Sequence, residues 1–358
     1  MRGVRDRLSA PARLPGIDLA RGLAVVGMLA AHLLALEPFA WDAPATWIAV
    51  VEGRSSILFA LAAGVSLALT TGGAEPLRGS AARVARDRLL VRAVALWGIG
   101  ILLLLTGVPV YVILPAYGIL FVIAAPLLAV GVRGLVAIAA ALLVTMPFVQ
   151  AALGLLPFWQ TDAGMLTEYL TGWAYPFPLW AGYLTAGLAI GRLDLRARRT
   201  AGMLVVVGSS LAAVGYGIGA VWDSTEGAPP GVLAVAMSME PHSGGLPEAV
   251  GGTGFVVALV GACLLVCRSR VAALLLLPLR ATGSMPLTAY SAQIVIWAVW
   301  SFVALGDTTD LRGFRALHPF WPITLAVIVS CTSWALRVGR GPLEDLLRRL
   351  ARRLVPGP

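Results

Sequence analysis

The chain has 358 residues, of which 59% are hydrophobic and only 13% are charged, whereas a soluble domain contains about 25% charged residues. Several apolar runs of about 18 residues or more predict an all-α polytopic membrane protein and exclude a soluble enzyme domain. All 27 basic residues are arginine, the net charge is +9, and most arginines fall on one set of alternate connecting segments. This pattern follows the positive-inside rule, so the charge sets orientation and contacts membrane lipids rather than nucleic acid.

Hydropathy predicts ten transmembrane helices. They cover about 17–36, 55–71, 89–106, 110–130, 135–153, 173–190, 201–221, 251–266, 285–305 and 321–336. The arginine distribution predicts a multi-pass plasma (inner) membrane protein whose N- and C-termini are both cytoplasmic. We expect a cytoplasmic N-terminal arm at 1–16, a single transmembrane helical domain at 17–337 and a cytoplasmic tail at 338–358. In the tail, leucines at helical spacing alternate with arginines, which predicts an amphipathic interfacial helix.

The first predicted span contains three ionisable residues, Asp18, Arg21 and His32. An ionisable side chain in hydrocarbon costs about 2.5–3.5 kcal/mol, so such residues usually face the bundle interior and indicate a functional site. With a rise of about 1.5 Å per residue, His32 lies about 21 Å beyond Asp18. Asp18 and Arg21 can share one helix face near the cytoplasm, where a structural ion pair is the alternative to a functional role.

The predicted outer loops supply a second group of polar candidates. These candidates, on the side from which an acceptor substrate would arrive, are Glu37, Glu52, Arg54, Glu240, His242 and Ser243. Arg54 departs from the charge rule, which indicates a local partner: Glu52, a lipid phosphate, or a polar substrate group near His32. His242 lies in the longest outer connection, where long loops are often functional, and an ordinary solvent-exposed histidine is the alternative.

Residues on the inner side are candidates for binding a phosphorylated ligand. The predicted loop before the third span contains a cluster formed by Arg83, Arg86, Arg88 and Arg92, and the ninth span begins with Thr288, Tyr290 and Gln293. Clustered arginines bind phosphates through bidentate contacts, with orientation and lipid headgroups as the alternative. Interhelical hydrogen bonding is the alternative role for Thr288 and Gln293. The three cysteines lack metal-ligand spacing, and no metal site is predicted.

Two long motifs now suggest a family. GIDLARGLAVVGM, which begins at Gly16, and GRSSILFALAAGVSLAL, which begins at Gly53, resemble the YeiB-type family. That family belongs to a transmembrane acyltransferase superfamily with the lysosomal heparan-α-glucosaminide N-acetyltransferase. The later motifs PHSGG, SMPLTAY and RGPLEDLLRRL are similar to YeiB-type signatures, so the resemblance extends over nearly the full length. It implies acyl transfer, an acyl-CoA co-substrate and a homodimer.

A second resemblance concerns the first span alone. Arg21 and His32 are separated by ten residues, which resembles the pattern of the bacterial integral-membrane O-acyltransferases that modify envelope sugars. This resemblance implies that His32 is the catalytic base and that Arg21 is essential. The lysosomal enzyme instead has Asn at the position of His32 and its catalytic His in the next loop, whereas 37–56 of this chain contains no His. Three interpretations therefore stay open: His32 is the base, His242 is the base, or the chain is inactive.

These features predict a membrane acyltransferase that moves an acyl group from cytoplasmic acyl-CoA to an extracytoplasmic envelope glycan or lipid acceptor. A histidine is suited to the role of general base because its ordinary pKa of about 6.5 lies near the working pH. The alternatives are a transporter or flippase for a small molecule or lipid precursor, with Asp18, Arg21 and His32 along its path, and a catalytically silent lipid-binding scaffold. Inverted repeats, which are typical of many transporters, are not evident in the sequence.

Overall fold

The computed structural model describes residues 13–225 and 229–357. Within these residues the regular structure consists of sixteen α-helices and two short 3-10 helices, without a strand. The prediction of an all-α polytopic membrane protein is confirmed. Most of the predicted N-terminal arm, 1–12, lies outside the described residues, and the first helix begins at Pro15, inside the predicted arm, because proline is favoured in the first helical turn.

The helices are numbered here in chain order. The first eight are α1 (Pro15–Leu33), α2 (Arg54–Thr70), α3 (Gly79–Leu104), α4 (Leu114–Leu127), α5 (Val132–Gly154), α6 (Asp162–Thr171), α7 (Phe177–Gly191) and α8 (Arg198–Asp223). The other eight are α9 (Val232–Ala236), α10 (Leu246–Val266), α11 (Arg270–Leu275), α12 (Leu277–Gly283), α13 (Pro286–Leu305), α14 (Leu311–Ala316), α15 (Phe320–Arg337) and α16 (Pro342–Leu354). The 3-10 helices are Pro44–Val51 and Pro157–Gln160.

Each predicted span coincides with one helix, namely α1, α2, α3, α4, α5, α7, α8, α10, α13 or α15. Among the described residues, seven helical segments are long and apolar enough to cross a membrane: α1, the run Pro44–Thr70 that includes α2, α5, α8, α10, α13 and α15. Helices α4 and α7 are apolar but shorter, and α3 has several arginines in its first half. The number of crossings, the cytoplasmic termini and the interfacial position of α16 stay predictions.

The chain divides into two compact units. Unit 1 comprises Met1–Phe59, Leu102–Tyr111 and Cys263–Arg348, and unit 2 comprises Ala60–Ile101, Val112–Ala262 and Arg349–Pro358. Unit 1 therefore contains α1 and α11 to α15 complete, whereas unit 2 contains α4 to α9 complete. The predicted boundaries at 17–337 and 338–358 stay predictions.

In unit 1, α1 packs against α12, α13 and α15. Its contact with α12 is backbone on backbone: a Cβ atom on Gly22 would lie 2.0 Å from the Leu279 carbonyl oxygen, and one on Gly283 would lie 1.8 Å from that of Asp18. Small residues allow this close approach of membrane helices, where dispersion contacts replace the hydrophobic effect. The packing fixes α1 beside the segment that connects α12 to α13.

In unit 2, α7 packs against α5 and α4. Arg192, directly after α7, is only 4% exposed, and its guanidinium donates hydrogen bonds to the carbonyl groups of Ala68, Thr71, Gly73 and Leu128. A basic side chain is well placed to satisfy carbonyls that helix and turn geometry leaves unpaired. One of the arginines that the charge rule assigned to orientation therefore has a buried structural role.

Candidate functional site

The N-terminal end of α1 contains a buried cluster of charges in unit 1. Asp18 is 4% exposed, and its Oδ1 lies 3.1 Å from Arg21 NH1 while its Oδ2 lies 3.2 Å from Arg13 Nε. The same Arg21 nitrogen lies 3.4 Å from the Gly283 carbonyl oxygen. The expected shared face of Asp18 and Arg21 is confirmed, and their ion pair lies where α12 ends.

Two more charged residues of unit 1 surround this cluster, and sequence reasoning missed both. Arg280 of α12 is 2% exposed and interacts electrostatically with Asp18, and Glu344 of α16 does so with Arg21. The Glu344 carboxylate also accepts hydrogen bonds from the amides of Leu287 and Thr288 and from the Thr288 hydroxyl. Because Met285 before α13 provides no side-chain cap, Glu344 caps α13 from another helix.

The last turn of α1 contains His32, which is half-buried. Its backbone carbonyl accepts two hydrogen bonds from Arg315 of α14, at 3.1 Å from Nε and 2.8 Å from NH2. Arg315 is one of the few arginines on the predicted outer side, and its role is to satisfy a carbonyl at the end of α1. Because Arg21 and His32 belong to one continuous helix, they are about 16 Å apart along its axis, and the structure does not bring them together.

The predicted residues of α13 occupy the interior of unit 1. Tyr290 is 1% exposed and Gln293 is 3% exposed, and the Tyr290 ring lies 6.1 Å from that of Phe59. Thr288 uses its hydroxyl to contact Glu344. These three residues therefore follow α13 from its capped start towards the middle of the helix, and their role in binding a co-substrate stays a prediction.

In unit 2 the predicted outer candidates Glu240, His242 and Ser243 lie in the loop between α9 and α10, and a buried carboxylate holds this loop. Glu248 in the first turn of α10 accepts hydrogen bonds from the backbone amide of His242 at 2.6 Å, from that of Gly244 at 2.7 Å and from the Ser243 hydroxyl at 3.3 Å. Sequence reasoning missed Glu248, although a glutamate in a first helical turn is a common signal for capping.

In the loop that Glu248 holds, His242 has an unusual backbone conformation. Its φ is 65°, and among the described residues only His318, at 53°, shares a positive φ without being glycine. The His242 side chain lies at the surface, yet the packed loop removes enough water from the ring to lower its pKa from the ordinary value of 6.5. The imidazole is therefore mostly neutral at pH 7 and able to accept a proton.

The arginine cluster predicted as a loop is helical, which corrects that expectation. Arg83, Arg86, Arg88 and Arg92 all belong to α3, because alanine, leucine and arginine are strong helix formers. Arg86 pairs with the neighbouring Asp87, and Arg88 Nε donates to the Val355 carbonyl at 3.0 Å. Arg83 and Arg86 are exposed, so they are accessible to an anionic group.

The remaining outer candidates lie in unit 1. Glu37 is exposed beyond the end of α1, Glu52 follows the first 3-10 helix, and Arg54 is the first residue of α2. The Arg54 amide contacts the Glu52 carbonyl, and Ser55 packs against Gly27 of α1. Within 13–225 and 229–357, no group of three or more His, Cys, Asp and Glu residues is arranged to hold a metal ion.

The helical fold and the buried ion pair in α1 define a polytopic membrane protein with a polar site inside its first span. Residues 13–217 match the family described as heparan-alpha-glucosaminide N-acetyltransferase, catalytic. This match covers more than half of the chain, and the chain belongs to that family, as the YeiB-type resemblance predicted. Residues 196–353 match a family described as protein of unknown function, DUF418. No curated protein matches the chain.

Proposed function

We propose that this protein transfers an acyl group from cytoplasmic acyl-CoA to an extracytoplasmic envelope sugar or lipid acceptor. The observation that supports this most is the buried Asp18–Arg21 pair in α1, in a chain that belongs to an N-acetyltransferase family. Ionisable groups inside a membrane helix are costly and usually functional. The α1 helix then leads from this pair to His32, which gives the two ends of a reaction path.

In this proposal Arg21 positions the donor and His32 removes a proton from the acceptor. Asp18 and the Gly283 carbonyl fix the guanidinium of Arg21, so it can contact an anionic or carbonyl group without reorganising. The arginines of α3, Arg83, Arg86, Arg88 and Arg92, are proposed to bind donor phosphates because guanidinium groups bind phosphate bidentately.

The transfer step needs only one base. The His32 imidazole takes the proton of the acceptor hydroxyl or amine, and the acceptor atom attacks the thioester carbonyl carbon. The carbon–sulfur bond then breaks, and the CoA thiolate takes the proton from the imidazolium. The acceptor leaves acylated and CoA leaves as the thiol. His242 is the alternative base, because its ring is largely neutral at pH 7.

The first test measures acetyl-CoA binding to the purified protein by calorimetry, with release of free CoA thiol as the assay of transfer. We expect Arg21→Ala to weaken acetyl-CoA binding by roughly tenfold or more, as loss of a contact to a charged group predicts. His32→Ala should bind acetyl-CoA normally and release no thiol when an amino sugar is added.

The controls separate chemistry from folding. Arg21→Lys keeps a cation beside Asp18 and should fold where Arg21→Ala does not. His242→Ala should retain thiol release if His32 is the base, and the opposite result would assign the base to His242. A folded wild-type protein that binds no acetyl-CoA would overturn the proposal.

A further inference from the structure

Several buried side chains in unit 1 have a polar atom that no described residue satisfies, and three of them are uncharged and less than 4% exposed. These three are Gln293 and Trp297 of α13, both 3% exposed, and Thr324 of α15, which is 2% exposed. The atoms concerned are Gln293 Oε1, Trp297 Nε1 and the Thr324 hydroxyl oxygen. A buried polar group without a partner costs about 1–3 kcal/mol, and native proteins keep few of them without a reason.

Two of the three unsatisfied atoms of α13, those of Gln293 and Trp297, belong to one face of the helix, and the third, the Ser291 hydroxyl, lies on another face. Gln293 and Trp297 are four residues apart, and Tyr290 precedes Gln293 by three, so the three side chains lie one above another. Aromatic neighbours hold the ends of this row: the Trp297 ring stacks on that of Phe314 at 5.3 Å and 9°, and Tyr290 lies 6.1 Å from Phe59. The row is therefore fixed in position rather than free to turn towards other partners.

This row lies between the two ends of the proposed reaction path. Arg21 contacts Gly283, directly before α13, and Arg315, after α13, contacts the His32 carbonyl. Helices α1 and α13 pack together, and these two contacts join their starts and their ends, so the helices run in the same direction within unit 1. By helical rise, Gln293 lies about 10 Å along α13, at a depth between Arg21 and His32, and Trp297 lies about 16 Å along it, close to the depth of His32.

The hydrogen-bond donors and acceptors of these side chains indicate which chemical group they can bind. Gln293 Oε1 accepts a hydrogen bond, Trp297 Nε1 donates one, and a threonine hydroxyl does both. A secondary amide supplies both partners, an N–H and a carbonyl oxygen, within one small group. We propose that Gln293 and Trp297 bind an amide of an extended substrate chain that passes between Arg21 and His32; this inference rests on the proposed function.

Two sources offer this amide chemistry. The pantetheine arm of acyl-CoA contains two secondary amides, and an acetamido sugar contains one. The probes are therefore S-acetylpantetheine and N-acetylglucosamine, each titrated against the full-length protein in detergent by calorimetry, with thermal unfolding of the unliganded protein measured in parallel.

Two variants remove the unsatisfied polar atoms of Trp297 and Gln293 and keep the approximate shape of each side chain. Trp297→Phe keeps a ring against Phe314 without the N–H, and Gln293→Met keeps an unbranched chain without the amide. Replacing an unsatisfied polar atom by an apolar group is close to neutral for stability. We expect both unliganded variants to unfold at or above the wild-type temperature and to bind one of the two probes at least tenfold more weakly.

Ser301→Ala is the matched control on the same helix, because the Ser301 hydroxyl is satisfied by the Asp307 carbonyl at 2.6 Å. It should lower the unfolding temperature and leave probe affinity unchanged. Weaker S-acetylpantetheine binding in the two variants assigns the amide to the donor, and weaker N-acetylglucosamine binding assigns it to the acceptor.

The inference is overturned if both folded variants bind both probes as wild type does, if they only lose stability, or if the wild-type protein binds neither probe. Binding of acetyl-CoA that depends on Arg21 would uphold the proposed function in each of those cases. Failure of this inference and failure of the proposed function are thus separate results.

Discussion

The two candidate histidines are held in different ways. His32 lies in the last turn of a regular helix, and Arg315 contacts its backbone carbonyl. His242 lies in a loop with a left-handed backbone, and Glu248 contacts its backbone amide. For His32 the helix determines the position of the imidazole. For His242 a single buried carboxylate, that of Glu248, holds the backbone in an unfavourable conformation.

This difference indicates how each histidine could be used. A left-handed conformation at a residue other than glycine costs about 1–2 kcal/mol and persists only where the surroundings impose it, which is typical of functional sites. The His32 backbone is under no such strain. The argument that His32 is the base therefore depends on the family resemblance and on its place in the same helix as Arg21. Replacing Glu248 and Arg315 in separate variants tests which histidine the protein needs.

The largest effect is expected for Glu248→Ala. Three hydrogen bonds from the loop to a buried carboxylate disappear, and a bond to a charged group contributes about 1.5–3 kcal/mol. Since the freed amides regain water in part, we expect the free energy of unfolding to fall by roughly 2–4 kcal/mol. Thermal unfolding and limited proteolysis of the loop between α9 and α10 measure the change.

Glu248→Gln is the matched control, because it keeps one acceptor oxygen and nearly the same volume. It should lie between the wild type and Glu248→Ala in stability. If Glu248→Ala unfolds like the wild type and its loop stays resistant to protease, the carboxylate does not hold His242. If the loop instead becomes sensitive to protease and acyl transfer still survives, His32 becomes the stronger candidate for the base.

An intermediate effect is expected for Arg315→Met, which removes both hydrogen bonds to the His32 carbonyl. The loss should destabilise the protein by roughly 1–2 kcal/mol. Because small displacements of a catalytic group are costly, acyl transfer should fall by about tenfold or more if His32 is the base. Thiol release from acetyl-CoA measures the rate, and calorimetry shows that donor binding is unchanged.

Arg315→Lys keeps the charge but has no planar fork, so it should recover only part of the rate. A fully active Arg315→Met that unfolds at the wild-type temperature would show that the end of α1 needs no such support. Activity lost in Arg315→Met and kept in Glu248→Ala, with donor binding intact, would point to His32 as the base.

The sequence was sufficient to predict all ten helices that were proposed as spans, because long apolar runs in a membrane protein have few other folds available. It was also sufficient to pair Asp18 with Arg21, since three residues separate neighbours on a helix. It did not reveal Glu344 capping α13, Arg315 at the His32 carbonyl or Glu248 beneath the loop. Glu344 and Arg315 contact residues that are 57 and 283 positions away in the chain, and Glu248 contacts a loop, so helical periodicity does not encode any of these contacts.

The smallest effect is expected for His242→Gly, and it has the opposite sign. Glycine adopts a positive φ without steric cost, so relief of strain should raise the free energy of unfolding by about 1 kcal/mol. His318→Gly is the matched control, because His318 also has a positive φ and lies outside the Glu248 contacts. Both variants should unfold at a higher temperature than the wild type. Acyl transfer lost only in the stabilised His242→Gly, and not in His318→Gly, would mean that the reaction needs the His242 imidazole, whereas a destabilised His242→Gly would mean that the ring contributes packing.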